Sequence, residues 1–406
     1  MQIIQKHKRV LVVNITIVGG GFGGVKAALE LAKHRKHRIT LISKQSYFQY
    51  YPSLYRTATG YSYTESWISL QQLFEGQKNV RIIEDEIITL HPDTMSIVGK
   101  SGRTYGYHKL ILALGSITSF FGIEGIDTYA YGIKSETEIR KLQQHLLDEL
   151  KAGRDDEKHY VVIGGGPTGV ELAGALGEYI RALRKKYGVS KRRLNINLVE
   201  AAPRLLPRSN EASSRAALKR LRKLGVHVST NCKVEKQTAS DLTINGKSLQ
   251  SQTVIWTSGV ANSPFFGANA KHFTLNERGR VVVNEFMQAR PHIYVIGDNA
   301  ATKWGGLAQS ALEDAKYVAK HLTSGSTKPY KQPTPASVVP IGRHWAVFEW
   351  KSIRLVGWPA ALLREAADVV GFCEIMSAPK AVKRWVSGKR RRLIIPDDVT
   401  TENILA

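Results

Sequence analysis

Residues 14–44 read NITIVGGGFGGVKAALELAKHRKHRITLISK, and this stretch decides the fold. NITIV is a short β-rich run and GGGFGG interrupts it. VKAALELAKHR spaces its apolar residues as a helix does, and HRITLIS is β-rich again. Strand, glycine turn, helix and strand in that order make a βαβ unit with parallel strands. Gly19, Gly21 and Gly24 form G-x-G-x-x-G where strand gives way to helix. The first glycine permits the tight turn, the second lets backbone approach a pyrophosphate, and the third lets helix and strand pack closely. Unpaired N–H groups at the helix start, with a dipole worth roughly half a positive charge, then face the phosphates.

Residues 158–200 repeat the plan as KHYVVI, GGGPTG, VELAGALGEYIRALRKKYG and LNINLVE. Gly164, Gly166 and Gly169 stand where Gly19, Gly21 and Gly24 stood. Repetition of a whole βαβ unit requires two coincidences if it is accidental. Glu200 ends the second strand of this repeat, where a carboxylate can accept both ribose hydroxyls of an adenosine. The same charge repels a 2′-phosphate, so NADH is expected in preference to NADPH. The matching place in the first unit reads Ile42-Ser43-Lys44 and offers no acid. Ser43 can hydrogen-bond a ribose hydroxyl, but more weakly than a charged acceptor. Gly297-Asp298 closes the late apolar run HIYVIGD and supplies a carboxylate suited to a ribityl hydroxyl, or to capping a helix. A dehydrogenase with a small organic substrate needs one dinucleotide site; a second is needed when hydride passes from nicotinamide to a bound flavin. Non-covalent FAD and NADH are therefore the expected cofactor and co-substrate.

The remainder of the sequence narrows this further. With 58 Lys and Arg against 34 Asp and Glu, the net charge of +24 implies an anionic partner. Cys232 and Cys373 lie far apart, which leaves no disulfide framework, CxxC motif or cysteine metal site. Histidines are scattered without HExxH spacing, so no metal is expected. No apolar run approaches the ~18 residues of a spanning helix. The opening MQIIQKHKRVLVVNITIVGG lacks the form of a secretory leader, which points to a cytoplasmic start. No RNP-like or helix-turn-helix pattern is present, so nucleic acid is not an expected partner despite the charge.

In this order the segments GGGFGG, YFQYYPSLYRTATG, LILALGS, GGGPTGVELAG, NINLVEAAPRLLP, VIWTSGV, YVIGDNA and LAQSALEDAKYVAKHL resemble the two-dinucleotide-binding flavoproteins, and within them the type II NADH:quinone oxidoreductases. The resemblance implies an α/β fold of two Rossmann-like domains, the NADH domain inserted in the FAD domain, plus a C-terminal membrane-associated segment. It implies an FAD domain at 1–120 and 263–328, an NADH domain at 121–262, and a tail from 329 to 406. It further implies FAD contacts at Gly19, Gly21, Gly24, Gly115, Gly297 and Asp298, and NADH contacts at Gly164, Gly166, Gly169, Glu200 and Gly259. Glu171, placed two residues into the second helix, matches a glutamate proposed to tune hydride or proton transfer near the stacked rings. Gln309, in Ala308-Gln309, matches the quinone-site motif, and its helix start would offer positive potential to the flavin. Glu313 and Asp314 stand where that motif has glutamines.

The tail bears on the partner. Leu355, Trp358, Leu362, Ala366, Val369 and Phe372 recur at helical spacing, with Arg364, Glu365 and Asp368 on other faces. KAVKRWVSGKRRR, 380–392, sets seven basic residues around a tryptophan. An amphipathic segment beside a basic cluster suits an anionic lipid surface, at about 1 kcal/mol per Lys or Arg before salt screening. The expected setting is peripheral, on the cytoplasmic face of the cell membrane, with quinone as acceptor. Three alternatives remain at this point: a soluble reductase of another electron carrier, a nucleic-acid-binding flavoprotein, and a tail that packs on the core or on a second copy in a homodimer. SGSTKPYKQPTP, 324–335, has the composition of a linker.

Overall fold

A computed structural model of the chain describes residues 13–152, 159–189, 194–250, 253–389 and 393. The N-terminal stretch read as leaderless, up to residue 12, and the arginines at 390–392 lie outside the described residues. The chain divides into two units.

The first unit gathers the described residues up to 49 with 69–117 and 261–333. Its six strands run in the order Gln288–Arg290, Ile293–Val295, Lys109–Leu112, Asn14–Val18, Arg38–Ser43, Val80–Glu84. All neighbours are parallel except the edge pair formed by the first two. Ile17 stands level with Leu41 on one side and Ile111 on the other, and all three are fully buried. A sheet covered on both faces needs such unbroken apolar runs, which is why NITIV and RITLIS do not alternate cleanly. Helix Phe22–Ala32 packs along helix Ala308–Ser324. Ala27, Ala28 and Leu31 on the one and Ala315, Val318 and Ala319 on the other are buried, and the alanines allow close approach. Truncating Leu31 to alanine in this seam is expected to cost about 2–5 kcal/mol.

The second unit gathers 50–68, 118–260 and the described residues from 334 onward. Its parallel sheet has the order Val226–Ser229, Asn195–Val199, His159–Ile163, Thr253–Trp256. Helix Pro167–Lys186 buries Val170, Leu172, Ala173, Leu176, Ile180 and Leu183. Helix Glu136–Lys151 begins with a capping box, in which Ser135 and Glu138 each accept from the other's backbone N–H.

From residue 334 the tail belongs to this second unit, and it departs from expectation in three ways. Leu355 lies in strand Ile353–Gly357, the last of a three-stranded antiparallel sheet, so the helix starts only at Trp358 and runs to Cys373. The buried face of that helix is Ala360, Arg364, Asp368 and Phe372, at i, i+4, i+8 and i+12. Of the six apolar residues read as a stripe, Phe372 is buried and stacks on Tyr50 at 4.3 Å, whereas Trp358 and Leu362 are 68% and 60% exposed. The charges turn inward and the hydrophobes outward. Arg384 in helix Ala378–Gly388 is likewise not a surface cation, because it donates to the Thr64 carbonyl. Among the described residues no helix is long and apolar enough to cross a membrane.

Candidate functional site

In the first unit three turns meet at the carboxyl ends of the parallel strands, where open α/β sheets bind ligands. Gly19 has φ +117°, and a Cβ there would overlap the Ala113 carbonyl. A Cβ on Gly24 would overlap the Gly19 carbonyl, so helix and strand touch backbone to backbone. Gly21 is the N-terminal cap of helix Phe22–Ala32, has no side-chain hydrogen bond to close the cap, and faces open space. The helix start is thus free to cradle a pyrophosphate. Ser43 is buried behind Gly20, 2.5 Å from where a Cβ on that glycine would lie, and its hydroxyl accepts from Gln45 N–H at 3.3 Å.

The turn after Leu112 and the turn after Ile296 are locked together. Asn299, fully buried, accepts from Gly115 N–H at 2.9 Å and donates to the Gly115 carbonyl at 2.7 Å. Ser116 donates to Asp298 Oδ2 at 2.8 Å. Gly115, Gly297 and Asp298 therefore form one preorganised wall, and Asp298 keeps Oδ1 for a further donor. Gln309 is the second residue of helix Ala308–Ser324, whose N-terminus has no side-chain cap. Glu313 pairs with Lys316 at 2.9 Å near the surface, while Asp314 is fully buried.

The second unit repeats the cradle. Gly164 has φ +113°, a Cβ on Gly169 would overlap the Gly164 carbonyl, and Gly166 caps helix Pro167–Lys186 with open space before it. Thr257 and Ser258 abut this turn as Ala113 abuts Gly19, and the Thr257 hydroxyl donates to the Ile163 carbonyl at 2.7 Å. Gly259 has φ +74°, and Lys134 Nζ holds its carbonyl at 3.1 Å. Glu200 grips the turn itself: Oε2 accepts from Gly165 N–H at 2.5 Å and Oε1 from Ala202 N–H at 2.6 Å. A carboxylate has about four acceptor sites, so these two bonds orient it and leave lone pairs for ribose hydroxyls. The glycines, the uncapped helix starts and the placed carboxylates fit two dinucleotides.

Glu171 lies one turn further in than expected. Its helix begins at Pro167, so it is the fifth helical residue and is not a first-turn acid satisfying the dipole. Burial pushes its carboxyl up to about 8; Arg364 and Arg56 pull it down and Asp368 pushes it up. Nearby lies a buried ring of charge that sequence reasoning missed. Arg56 pairs with Glu65 and, at 3.1 Å, with Asp368; Arg364 pairs with Asp368 at 2.5 Å and donates to the Pro52 carbonyl at 2.8 Å. Tyr50 donates to Asp368 at 3.3 Å. Among the described residues two guanidiniums are matched by two carboxylates, so Glu171 is the fifth charge without a cation of its own, and neutrality suits it. The i, i+4 spacing of Arg364 and Asp368 in an apolar helix was the available signal. A cavity of about 320 Å³ opens beside this ring, lined among others by Tyr55, Arg56, Arg364, Trp345, Trp358 and Leu362.

Comparison with known proteins extends these observations. A curated relative, Type II NADH:quinone oxidoreductase NdhA of Mycobacterium tuberculosis, is 29% identical over 394 residues, covering 88% of this chain and 84% of that one. The Type II NADH:quinone oxidoreductase of Staphylococcus aureus is 27% identical over 407 residues, covering 94% and 99%. Among solved structures, NDH2 from Plasmodium falciparum in complex with NADH superposes with a TM-score of 0.83 at 19% identity, over 95% of this chain and 100% of that one. The sulfide:quinone oxidoreductase of Aquifex aeolicus gives 0.77 at 19% identity, over 90% and 92%. At such identities the two structures speak for the fold. The family model described as pyridine nucleotide-disulphide oxidoreductase matches residues 13–315, a span that holds both glycine turns and ends just past Asp314. With both cradles inside that span, the chain belongs to the pyridine nucleotide-disulphide oxidoreductase family.

Proposed function

We propose that the chain oxidises NADH and passes two electrons, by way of non-covalently bound FAD, to a quinone, without pumping protons. The observation that carries this reading is the pair of equally built phosphate cradles in one chain, joined to curated relatives named for this activity. FAD supplies the two-electron relay between a hydride donor and a quinone.

The chain's own residues bind and orient. Gly164, Gly166 and Gly169 with the start of helix Pro167–Lys186 take the NADH pyrophosphate, Glu200 takes its adenosine ribose, and Gly259 admits it closely. Gly19, Gly21 and Gly24 take the FAD pyrophosphate, Ser43 its adenosine ribose, and Gly115, Gly297 and Asp298 its ribityl side. Gln309 presents the start of its helix to the electron-rich edge of the ring. Reduction of a quinone to a quinol takes two electrons and two protons. Glu171, protonated up to about pH 8, is suited to supply a proton and regain it from solvent.

What supports docking on a lipid surface is the outward side of the tail. Trp358, Leu362 and Val370 are exposed on one helix, Val382 and Val386 on the next, with Lys380, Lys383 and Lys389 beside them. Apolar side chains beside lysines suit the interface of an anionic bilayer. A second copy of the chain is the competing cover for this face.

Anaerobic stopped-flow tests the electron path: NADH should bleach the flavin absorbance, and a ubiquinone or menaquinone analogue should restore it. Flavin that NADH leaves oxidised would end this reading. Flotation with anionic vesicles tests the tail; a protein that dimerises and never floats would assign the apolar face to a second copy.

A further inference from the structure

Asp314 is fully buried on helix Ala308–Ser324, and among the described residues no Lys, Arg or His is bonded to it. Its Oδ2 accepts from Gly297 N–H at 3.0 Å. Its Oδ1 accepts from Tyr330 hydroxyl at 2.7 Å and from Gln332 Nε2 at 3.3 Å. Gln332 in turn accepts from Trp304 N–H at 2.9 Å and donates to Thr302 at 3.2 Å. The segment read as a linker is therefore bonded, through Tyr330 and Gln332, to the back of the turn that carries Asp298.

A buried carboxylate without a cation weakens a fold, and an apolar residue of the same size would normally serve the core better. Here the bonded groups identify what the carboxylate does. The sheet ladder ends where Ile296 N–H meets the Leu112 carbonyl, which leaves the next N–H, that of Gly297, without a strand partner. Asp314 is that partner. Asn299 holds the far side of the same turn against Gly115, so Asp298 is fixed from both sides. Burial pushes the Asp314 carboxyl up to about 6, while Tyr330, the Gly297 N–H and Gln332 hold it down and Glu313 pushes it up; above that pH both oxygens accept.

We infer that Asp314 is a positioning residue for FAD, tying the Gly297–Asp298 turn to the segment that bears Tyr330 and Gln332. The inference rests on the FAD reading of that turn and reassigns Asp314 from the quinone side, where the resemblance had set it, to the flavin. Asp314→Leu keeps the side-chain shape and removes both acceptors; Asp314→Asn keeps one.

The test is the rate at which purified holoenzyme releases FAD on dilution at pH 7.5, read from the rise of free-flavin fluorescence. Asp314→Leu should release FAD about tenfold faster, the ratio expected from losing the one of its three hydrogen bonds, Gly297 N–H to a charged acceptor, that reaches the FAD turn. Asp314→Asn should restore most of the retention, and Tyr330→Phe should fall between wild type and Asp314→Leu. NAD⁺ affinity, measured by calorimetry on the same holoenzymes, should not move, whereas general destabilisation would weaken both and resist rescue by asparagine. Should Asp314→Leu fail to fold, Tyr330→Phe and Gln332→Ala decide the matter. Wild-type release from these variants overturns the inference, and a wild type that carries no flavin overturns the FAD reading beneath it.

Discussion

The two glycine turns are nearly superimposable in what they demand of the backbone, and differ in what stands behind them. Gly19 at φ +117° and Gly164 at φ +113° bend alike, and in each the third glycine meets the carbonyl of the first. The second strand of each unit then delivers a different side chain to the same spot: Ser43 behind Gly20 and Glu200 behind Gly165. Glu200 accepts from the turn at Gly165 N–H and from Ala202 N–H, whereas the Ser43 hydroxyl accepts from Gln45 N–H. Glycine backbone and helix start therefore make a phosphate site, which is generic. On the proposed function, the residue that ends the strand would set how the attached sugar is read, and there the two sites part.

The strongest way to break the comparison is to fill one turn at a time. Gly24→Val should remove FAD and Gly169→Val should weaken NADH binding, each by about a hundredfold or more, because the added Cβ overlaps backbone that cannot yield. Flavin content and NAD⁺ calorimetry would separate them, and equal damage to both ligands from either change would end the idea of independent cradles. Glu200→Ala is next: NADH affinity should fall about 10- to 100-fold, the worth of hydrogen bonds to a charged acceptor, with flavin retained.

Smaller effects sharpen the picture. Glu171 is raised from 4.5 to about 8, so its proton is present below pH 8 and lost above it. Turnover with a soluble quinone should fall above pH 8 in the wild type and lose that step in Glu171→Gln. The sign for stability follows: a raised carboxyl contributes most at low pH and the contribution is lost as pH rises through about 8, so Glu171→Gln should melt higher than wild type at pH 9. A melting curve in which both fall together would refute the assignment. Ser43→Ala should loosen FAD only about threefold, as a neutral hydrogen bond does. Val370→Glu, on the exposed apolar face, should lower vesicle binding and leave turnover with soluble quinone unchanged.

Much of this architecture is legible along the chain because its signals are local. GGGFGG and GGGPTG announce strand, turn and helix within a few residues, and the strands beside them are read from composition alone. What escaped reading depends on partners far away in sequence. Asn299 is an ordinary turn residue until Gly115, 184 positions earlier, is set against it. Asp314 reads as a substituted glutamine until Gly297 and Tyr330 close on it. The tail shows the limit most clearly. Periodicity found a helix over 355–372, most of which is the helix Trp358–Cys373, but could not say which face is covered, because the decisive partners, Arg56 and Glu65, lie some 300 residues upstream.

The charge ring has a consequence for how the tail can change. Deleting the helix whole takes away Arg364 and Asp368 together and leaves Arg56 with Glu65, a neutral remainder. Altering Asp368 alone strands two guanidiniums against one carboxylate in a dry setting, which costs about 3–5 kcal/mol. Losing Arg364 and Asp368 together is then gentler on the charge balance than losing Asp368 alone, whereas excising the whole helix would also strip the buried Phe372 from Tyr50.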